Sequence, residues 1–196
     1  ERLKAKPADP VADTFAEASI LFADITGFVP LARRLGAGET VALLNTLVSR
    51  FDELAERHGV EKIKTIGDAY MVAAGVPEAA PDSAARLARM ALAMHATIAA
   101  MRAETGHALD MRMGLATGPV MAGVIGRRKF SYDIWGDAVN LAARLETASL
   151  PGRIHICPVT RERLAHAFDA EPRGTIDIKG VGKQDTWFLV GPRLSS

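Results

Sequence analysis

A single cysteine, Cys157, stands among the 196 residues, so no disulfide within the chain is available. That fits a reducing compartment. Cys157 closes the strand-like stretch Arg153-Ile-His-Ile-Cys157 and reads as a small buried apolar side chain rather than a nucleophile. Excess charge is missing too: 24 Lys and Arg against 23 Asp and Glu leave a net charge of +1. Apart from the short Arg127-Arg128-Lys129 run, the two signs are interspersed. No polyelectrolyte partner is implied, and nucleic acid is not expected. No apolar run approaches the roughly 20 residues that span a bilayer, and no signal peptide is visible. The histidines, His58, His95, His107, His155 and His166, lack metal-ligand spacing and read as structural or exposed. The expected location is cytoplasmic, with no membrane segment in this chain. The first residue is Glu1 rather than Met, so a larger or membrane-bound parent protein is compatible with the sequence.

A hydrophobic fraction of 48% and this length support one domain with a sizeable core. Residues 1–17, with Pro7 and Pro10, read as a linker or N-terminal arm, and 18–196 as the folded domain. Ser19 to Asp24 is a short apolar run that reads as a buried strand. Thr26 to Leu35 starts a helix that Gly36 and Gly38 interrupt. Glu39 to His58 continues with Val41, Leu44, Leu47, Val48, Phe51, Leu54 and Ala55 at helical spacing, and Gly59 caps it. Val60–Thr65 and Ala69–Ala74 form a hairpin around Gly67-Asp68. Pro81 to Glu104 is a long helix whose Met90, Met94 and Met101 fill the core. Met111–Thr117 and Val120–Ile125 read as a second strand pair around Gly118-Pro119. A helix over Asp137–Thr147 follows, then Ile154–Cys157, a short helix over Thr160–Ala167, and strands near Thr175–Ile178 and Thr186–Val190. No internal repeat is present. The order predicts an α+β, ferredoxin-like sandwich: a mostly antiparallel sheet with helices packed on one face.

Two aspartates stand where strands run out. Asp24 ends Ile20-Leu-Phe-Ala-Asp24, and Asp68 follows Gly67 in a tight turn. Asp24 also has the position of a helix N-cap, and Asp68 suits an ordinary hairpin loop. If the hairpin tip lies beside the end of the first strand, the two carboxylates are placed to hold two hard cations. The helix start after Asp24 is also a phosphate site through its backbone N–H groups. Lys64 and Asp133 suit a base edge: lysine only donates and an ionised aspartate only accepts, an order that favours adenine over guanine. A strand lysine in water or paired with Asp68, and a loop acid, are the plainer readings of the two. Asn140 and Arg144, four apart on an otherwise apolar helix, share one face, which suits a ribose oxygen and a phosphoryl charge. Lys179 sits in Ile176-Asp-Ile-Lys-Gly-Val-Gly182, a turn open to phosphate or simply a hairpin.

Four ordered motifs, Phe22-Ala-Asp-Ile-Thr-Gly-Phe28, Glu61-Lys-Ile-Lys-Thr-Ile-Gly-Asp-Ala-Tyr-Met71, Gly118-Pro-Val-Met-Ala-Gly-Val-Ile-Gly126 and Tyr132-Asp-Ile-Trp-Gly-Asp-Ala-Val-Asn-Leu-Ala-Ala-Arg144, closely resemble class III nucleotidyl cyclases of the adenylyl type. The resemblance covers about Ala18 to Val190. It implies a catalytic domain over 18–196 that converts ATP to 3′,5′-cyclic AMP and pyrophosphate with two Mg²⁺ or Mn²⁺ ions per site. It implies Asp24, Ile25 and Asp68 at the metals, and Lys64 and Asp133 at adenine, where guanylyl cyclases usually carry Glu and Cys. Asn140 orients the ribose and Arg144 serves the transition state. Lys179, with Lys183 as a neighbour able to substitute, and Thr26, Gly27 and Phe28 serve the phosphates. The family builds its site between two subunits head to tail, so a homodimer with two sites is expected. The alternatives are a guanylyl or mixed-specificity cyclase, a noncatalytic nucleotide-binding dimerisation module, and a polymerase-like fingertip. The last lacks its Tyr-x-Asp-Asp motif here.

Overall fold

The structure, a computed structural model, describes residues 12–126 and 130–193. The first residues of the expected arm and the Arg127-Arg128-Lys129 run lie outside the described residues. In chain order the elements are β1 (Ala12–Thr26), α1 (Phe28–His58), β2 (Glu61–Ile66), β3 (Ala69–Ala74), α2 (Ser83–Thr105), β4 (Asp110–Ile125), β5 (Ser131–Trp135), α3 (Asp137–Thr147), β6 (Ile154–Ile156), α4 (Pro158–Leu164), β7 (Phe168–Ile178) and β8 (Gly182–Pro192). The strands form one sheet in the order β2-β3-β1-β4-β6-β8-β7, and β5 pairs with the far half of β4. All pairings are antiparallel except β4 with β6. The α+β sandwich read from the element order is the architecture observed.

The central strand explains why the run Ser19 to Asp24 is continuously apolar rather than alternating. Leu21, Ala23 and Ile25 enter a core shared with α1 and α2, including Phe51, Leu87, Met94 and Met101. Ala18 and Ile20, on the other face, enter a second core with Ala138, Ala142 and Leu145 of α3. A strand covered on both faces needs apolar residues at every position. The helices therefore do not share one face, as the element order had implied: α3 crosses to the other. Its close approach there depends on Gly114 of β4. A Cβ there would lie 2.1 Å from Glu146 N and 2.3 Å from Ala142 O, so only glycine lets α3 approach this closely.

Further differences from the sequence reading have local causes. The stretch around Gly118-Pro119 is not a turn; β4 runs unbroken for 16 residues. Its partner β1 absorbs the irregularity: Phe15 pairs with Val120 and Ala18 with Gly118, so two residues of β1 face Pro119 alone. A bulge is where a strand tolerates proline, because the ladder is already interrupted. The strand that completes the second pair is β5. At the start of the chain, β1 begins at Ala12, inside the stretch read as an arm. The interruption expected in the first helix is present at Gly36 (φ 76°, ψ 175°), a non-helical residue between two helical stretches of α1, whereas Gly38 does not break it. Val41, which has helical spacing, is 65% exposed, whereas Leu43 is buried instead. Gly59 caps α1 in the left-handed conformation with its N–H on the Ala55 and Glu56 carbonyls. Cys157 is buried, with Sγ 3.2 Å from the Thr160 hydroxyl.

Candidate active site

The two aspartates meet. In the β1–β3 register Asp24 lies opposite Ala69, the residue after Asp68, so the hairpin turn lies beside the end of β1. This hairpin is at the sheet edge rather than its centre, with β2 outermost. Gly67 (φ 63°) makes the tight turn that precedes Asp68. Asp24 does not cap the helix: the N-cap is Gly27 (φ 70°), and no side chain caps α1. The Asp24 carboxylate is therefore free of the local role that its sequence position offered. Burial raises the Asp68 pKa above the usual carboxylate range, and the charge and hydrogen bonding of Asp24 raise it further. Two neighbouring carboxylates are a place where a divalent cation relieves repulsion. Among the described residues no three His, Cys, Asp or Glu side chains gather as metal ligands. A cation here would thus have two carboxylates and complete its shell with backbone, water or substrate oxygens. Of the three residues that open α1, Pro30 has no N–H, which leaves Phe28 and Val29 with free donors.

Two further charged groups belong to this end of the sheet and were missed in the sequence. Arg112 on β4 lies opposite Asp24 in register. Its Nη2 donates to Asp24 Oδ2 at 3.0 Å, and its Nε lies 2.6 Å from Glu146 Oε1 on α3. Their signal was an arginine inside the apolar run Met111-Arg-Met-Gly-Leu115 and an acid on an apolar helix. Neither has meaning until the register is known. Burial raises the Glu146 pKa, the Arg112 charge opposes that, and the Asp24 charge adds to it.

Lys64 on β2 and Asp133 on β5 form an ion pair at 2.6 Å, although 69 residues separate them. Lys64 thus pairs with Asp133 rather than with Asp68. The other oxygen of Asp133 accepts the Ile134 N–H at 2.9 Å, which fixes the carboxylate. Asp133 is 13% exposed and Lys64 39%, so the pair is open on the lysine side.

Asn140 and Arg144 line a cleft of about 420 Å³ together with Thr117, Asp137, Gly180 and Gln184. The Arg144 guanidinium lies over Gly180, where an added Cβ would be 2.9 Å from Nη1. The turn between β7 and β8 is thus held against α3, and Lys179 and Lys183 flank it, both exposed. None of Asp24, Asp68, Lys64 or Asp133 lines this cleft. One chain therefore carries the carboxylate end of the sheet, the Lys64–Asp133 pair and the Asn140–Arg144 cleft as separate groups.

The family model for the adenylate and guanylate cyclase catalytic domain matches residues 11–191. The chain belongs to this family. An adenylate cyclase of Mycobacterium tuberculosis is 45% identical to the cyclase domain over all 196 residues, and the chain spans 44% of that relative. Among solved structures, the guanylate cyclase domain of RhGC from Catenaria anguillulae, in complex with GTP, matches with a TM-score of 0.88 and 35% identity over 92% of this chain and 100% of that one. The adenylyl cyclase CyaB from P. aeruginosa matches with a TM-score of 0.88 and 29% identity over 93% of this chain and 97% of that one. No helix among the described residues is long and apolar enough to cross a membrane.

Proposed function

We propose that this cyclase domain, over 18–196, converts ATP to 3′,5′-cyclic AMP and pyrophosphate at sites shared by two copies of the chain. The observation that carries the adenine preference is the Lys64–Asp133 pair at 2.6 Å. Together the two present one donor and one acceptor, the complement of the adenine ring nitrogen and exocyclic amine. The mycobacterial relative bears the name adenylate cyclase, while the match to a GTP complex keeps guanylyl or mixed activity as the second reading. The proposed place of the domain is the cytoplasm.

In this reading Asp24, Asp68 and the Ile25 backbone hold Mg²⁺ or Mn²⁺, two per site. When bound, the cations supply an acidified ribose 3′-hydroxyl and neutralise the triphosphate. The 3′-hydroxyl gives its proton to water, a substrate phosphate oxygen or Asp24, its oxygen attacks the α-phosphorus in line, and the bond to the bridging oxygen breaks to release pyrophosphate. Asn140 holds the ribose so that this line is kept. Arg144, fixed over Gly180, meets the charge that grows on the α-phosphoryl oxygens. Lys179, with Lys183 beside it, and the N–H groups at Thr26, Gly27 and Phe28 hold the terminal phosphates. The metal carboxylates and the amides of Thr26, Gly27 and Phe28 come from one copy, and Lys64, Asp133, Asn140, Arg144 and Lys179 come from the other.

The test is cyclic nucleotide production from ATP and from GTP, with Mg²⁺ or Mn²⁺, over a range of protein concentrations. Cyclic AMP whose specific activity rises with protein concentration, and which Asp24→Ala abolishes, is the expected result. Cyclic GMP as the main product would overturn the adenine assignment. Absence of product where a dimer is demonstrated would favour a noncatalytic nucleotide-binding module.

A further inference from the structure

At the carboxylate end of the sheet, one cation already occupies the acid assigned to metal. Arg112 donates from Nη2 to Asp24 Oδ2 at 3.0 Å and from Nε to the same oxygen at 3.3 Å. The same Nε lies 2.6 Å from Glu146 Oε1. The three side chains are largely shielded: Asp24 is 19% exposed, Glu146 12% and Arg112 32%. Glu146 rides on α3, and Gly114 lets its backbone lie close against the sheet. Arg112 thus stands between two carboxylates, Asp24 and Glu146, and Asp68 lies beside Asp24. With all three ionised, the cluster is two positive charges short of neutrality.

We propose that Arg112 is a resident counter-cation of Asp24, and that Glu146 is the residue that draws it off when a divalent cation arrives. The inference rests on the reading of Asp24 and Asp68 as metal ligands. Before metal, the guanidinium shields the Asp24 oxygen. The incoming ion takes that oxygen, and Arg112 keeps its contact with Glu146, so no charge is left unpaired in a half-buried site. Glu146 is a positioning residue here, acting through Arg112. The exchange sets how tightly the nucleotide-free chain holds its metal.

Simple charge counting makes part of the same prediction, since removing a negative group weakens cation binding and removing a positive one strengthens it. The two ideas differ in coupling. Mn²⁺ binding to the nucleotide-free protein, measured by electron paramagnetic resonance, is compared for wild type, Glu146→Gln, Arg112→Gln and the double variant. The exchange predicts that Glu146→Gln raises the Mn²⁺ dissociation constant about fivefold when Arg112 is present and less than about twofold when it is absent, the non-additivity expected of contacting residues. Equal effects in both backgrounds would overturn the proposal and leave only charge counting. The wild-type protein supplies a second readout that does not depend on how a variant folds. The Arg112 Nε–Hε resonance, assigned by its loss in Arg112→Lys, is expected to move as Mg²⁺ is titrated in. A resonance unmoved at saturation would also overturn the exchange. Asp24→Ala tests the underlying reading by itself: if Mn²⁺ affinity were unchanged in that variant, the metal assignment would fall first.

Discussion

Asp24 and Lys64 show how little a residue says until its partner is known. Each had an ordinary reading, a helix cap for one and a strand lysine in water for the other. The structure removes the first, because α1 starts on Gly27 with no side-chain cap. It narrows the second, because Lys64 is bonded to Asp133 at 2.6 Å. Selection of the base by that pair is a residue-scale claim with a residue-scale test. Lys64→Glu with Asp133→Cys reverses the donor, removes the fixed acceptor, and is expected to lower the ATP-to-GTP turnover ratio by about tenfold or more, the discrimination typical of hydrogen-bonding groups in a site. Rates of cyclic AMP and cyclic GMP formation measure it. An unchanged ratio would remove the pair from base selection. His155 makes the opposite point. It is buried, its Nδ1–H donates to the Leu145 carbonyl at 3.0 Å, and it ties β6 to α3 with no link to the site.

At the scale of elements, the site depends on how α3 lies against β1 and β4. The helix brings Asn140 and Arg144 to the cleft and Glu146 to Arg112, so its height above the sheet sets two groups of functional residues together. Gly114 decides that height. Gly114→Ala is expected to destabilise the domain by about 3 kcal/mol, the upper end of overpacking costs, because the new methyl meets helix backbone rather than a flexible side chain. The urea midpoint at unchanged slope measures this. A loss below about 0.5 kcal/mol would mean that α3 shifts freely, and then the Arg112–Glu146 contact would not be rigid. Strand β4 carries a related lesson. Gly118-Pro119 reads as a turn in isolation, yet pairing with β1 on one side and β5 on the other keeps the strand continuous through a bulge.

For the whole molecule, the proposed dimer carries the sharpest prediction. The carboxylates of β1 and the β2–β3 turn do not line the cleft that holds Asn140 and Arg144. In the proposed dimer, a site shared head to tail by two copies gives each copy half of the work. The expectation is therefore complementation. Asp24→Ala and Asn140→Ala are each inactive alone, and an equal mixture recovers about a quarter of wild-type activity, since half of the dimers are mixed and each mixed dimer has one intact site. Cyclic AMP formation after mixing the purified variants measures it, and no recovery in a mixture shown to contain mixed dimers would place the whole site within one chain.

Local chemistry determined a good deal. The apolar run of β1, the helical spacing of α2, the hairpin at Gly67-Asp68 and the four motifs were legible because each depends on neighbours close in sequence. Asp24, Asp68, Lys64, Asp133, Asn140 and Arg144 stood out because a polar group in an apolar setting is costly without a reason. Only the tertiary structure decided that β4 stays whole, that α3 takes the second face, that Lys64 meets Asp133 across 69 residues, and that Arg112 stands between Asp24 and Glu146. These rest on strand register and on a close approach at one glycine. Both are contacts between segments far apart in the chain, and no local pattern encodes such distances.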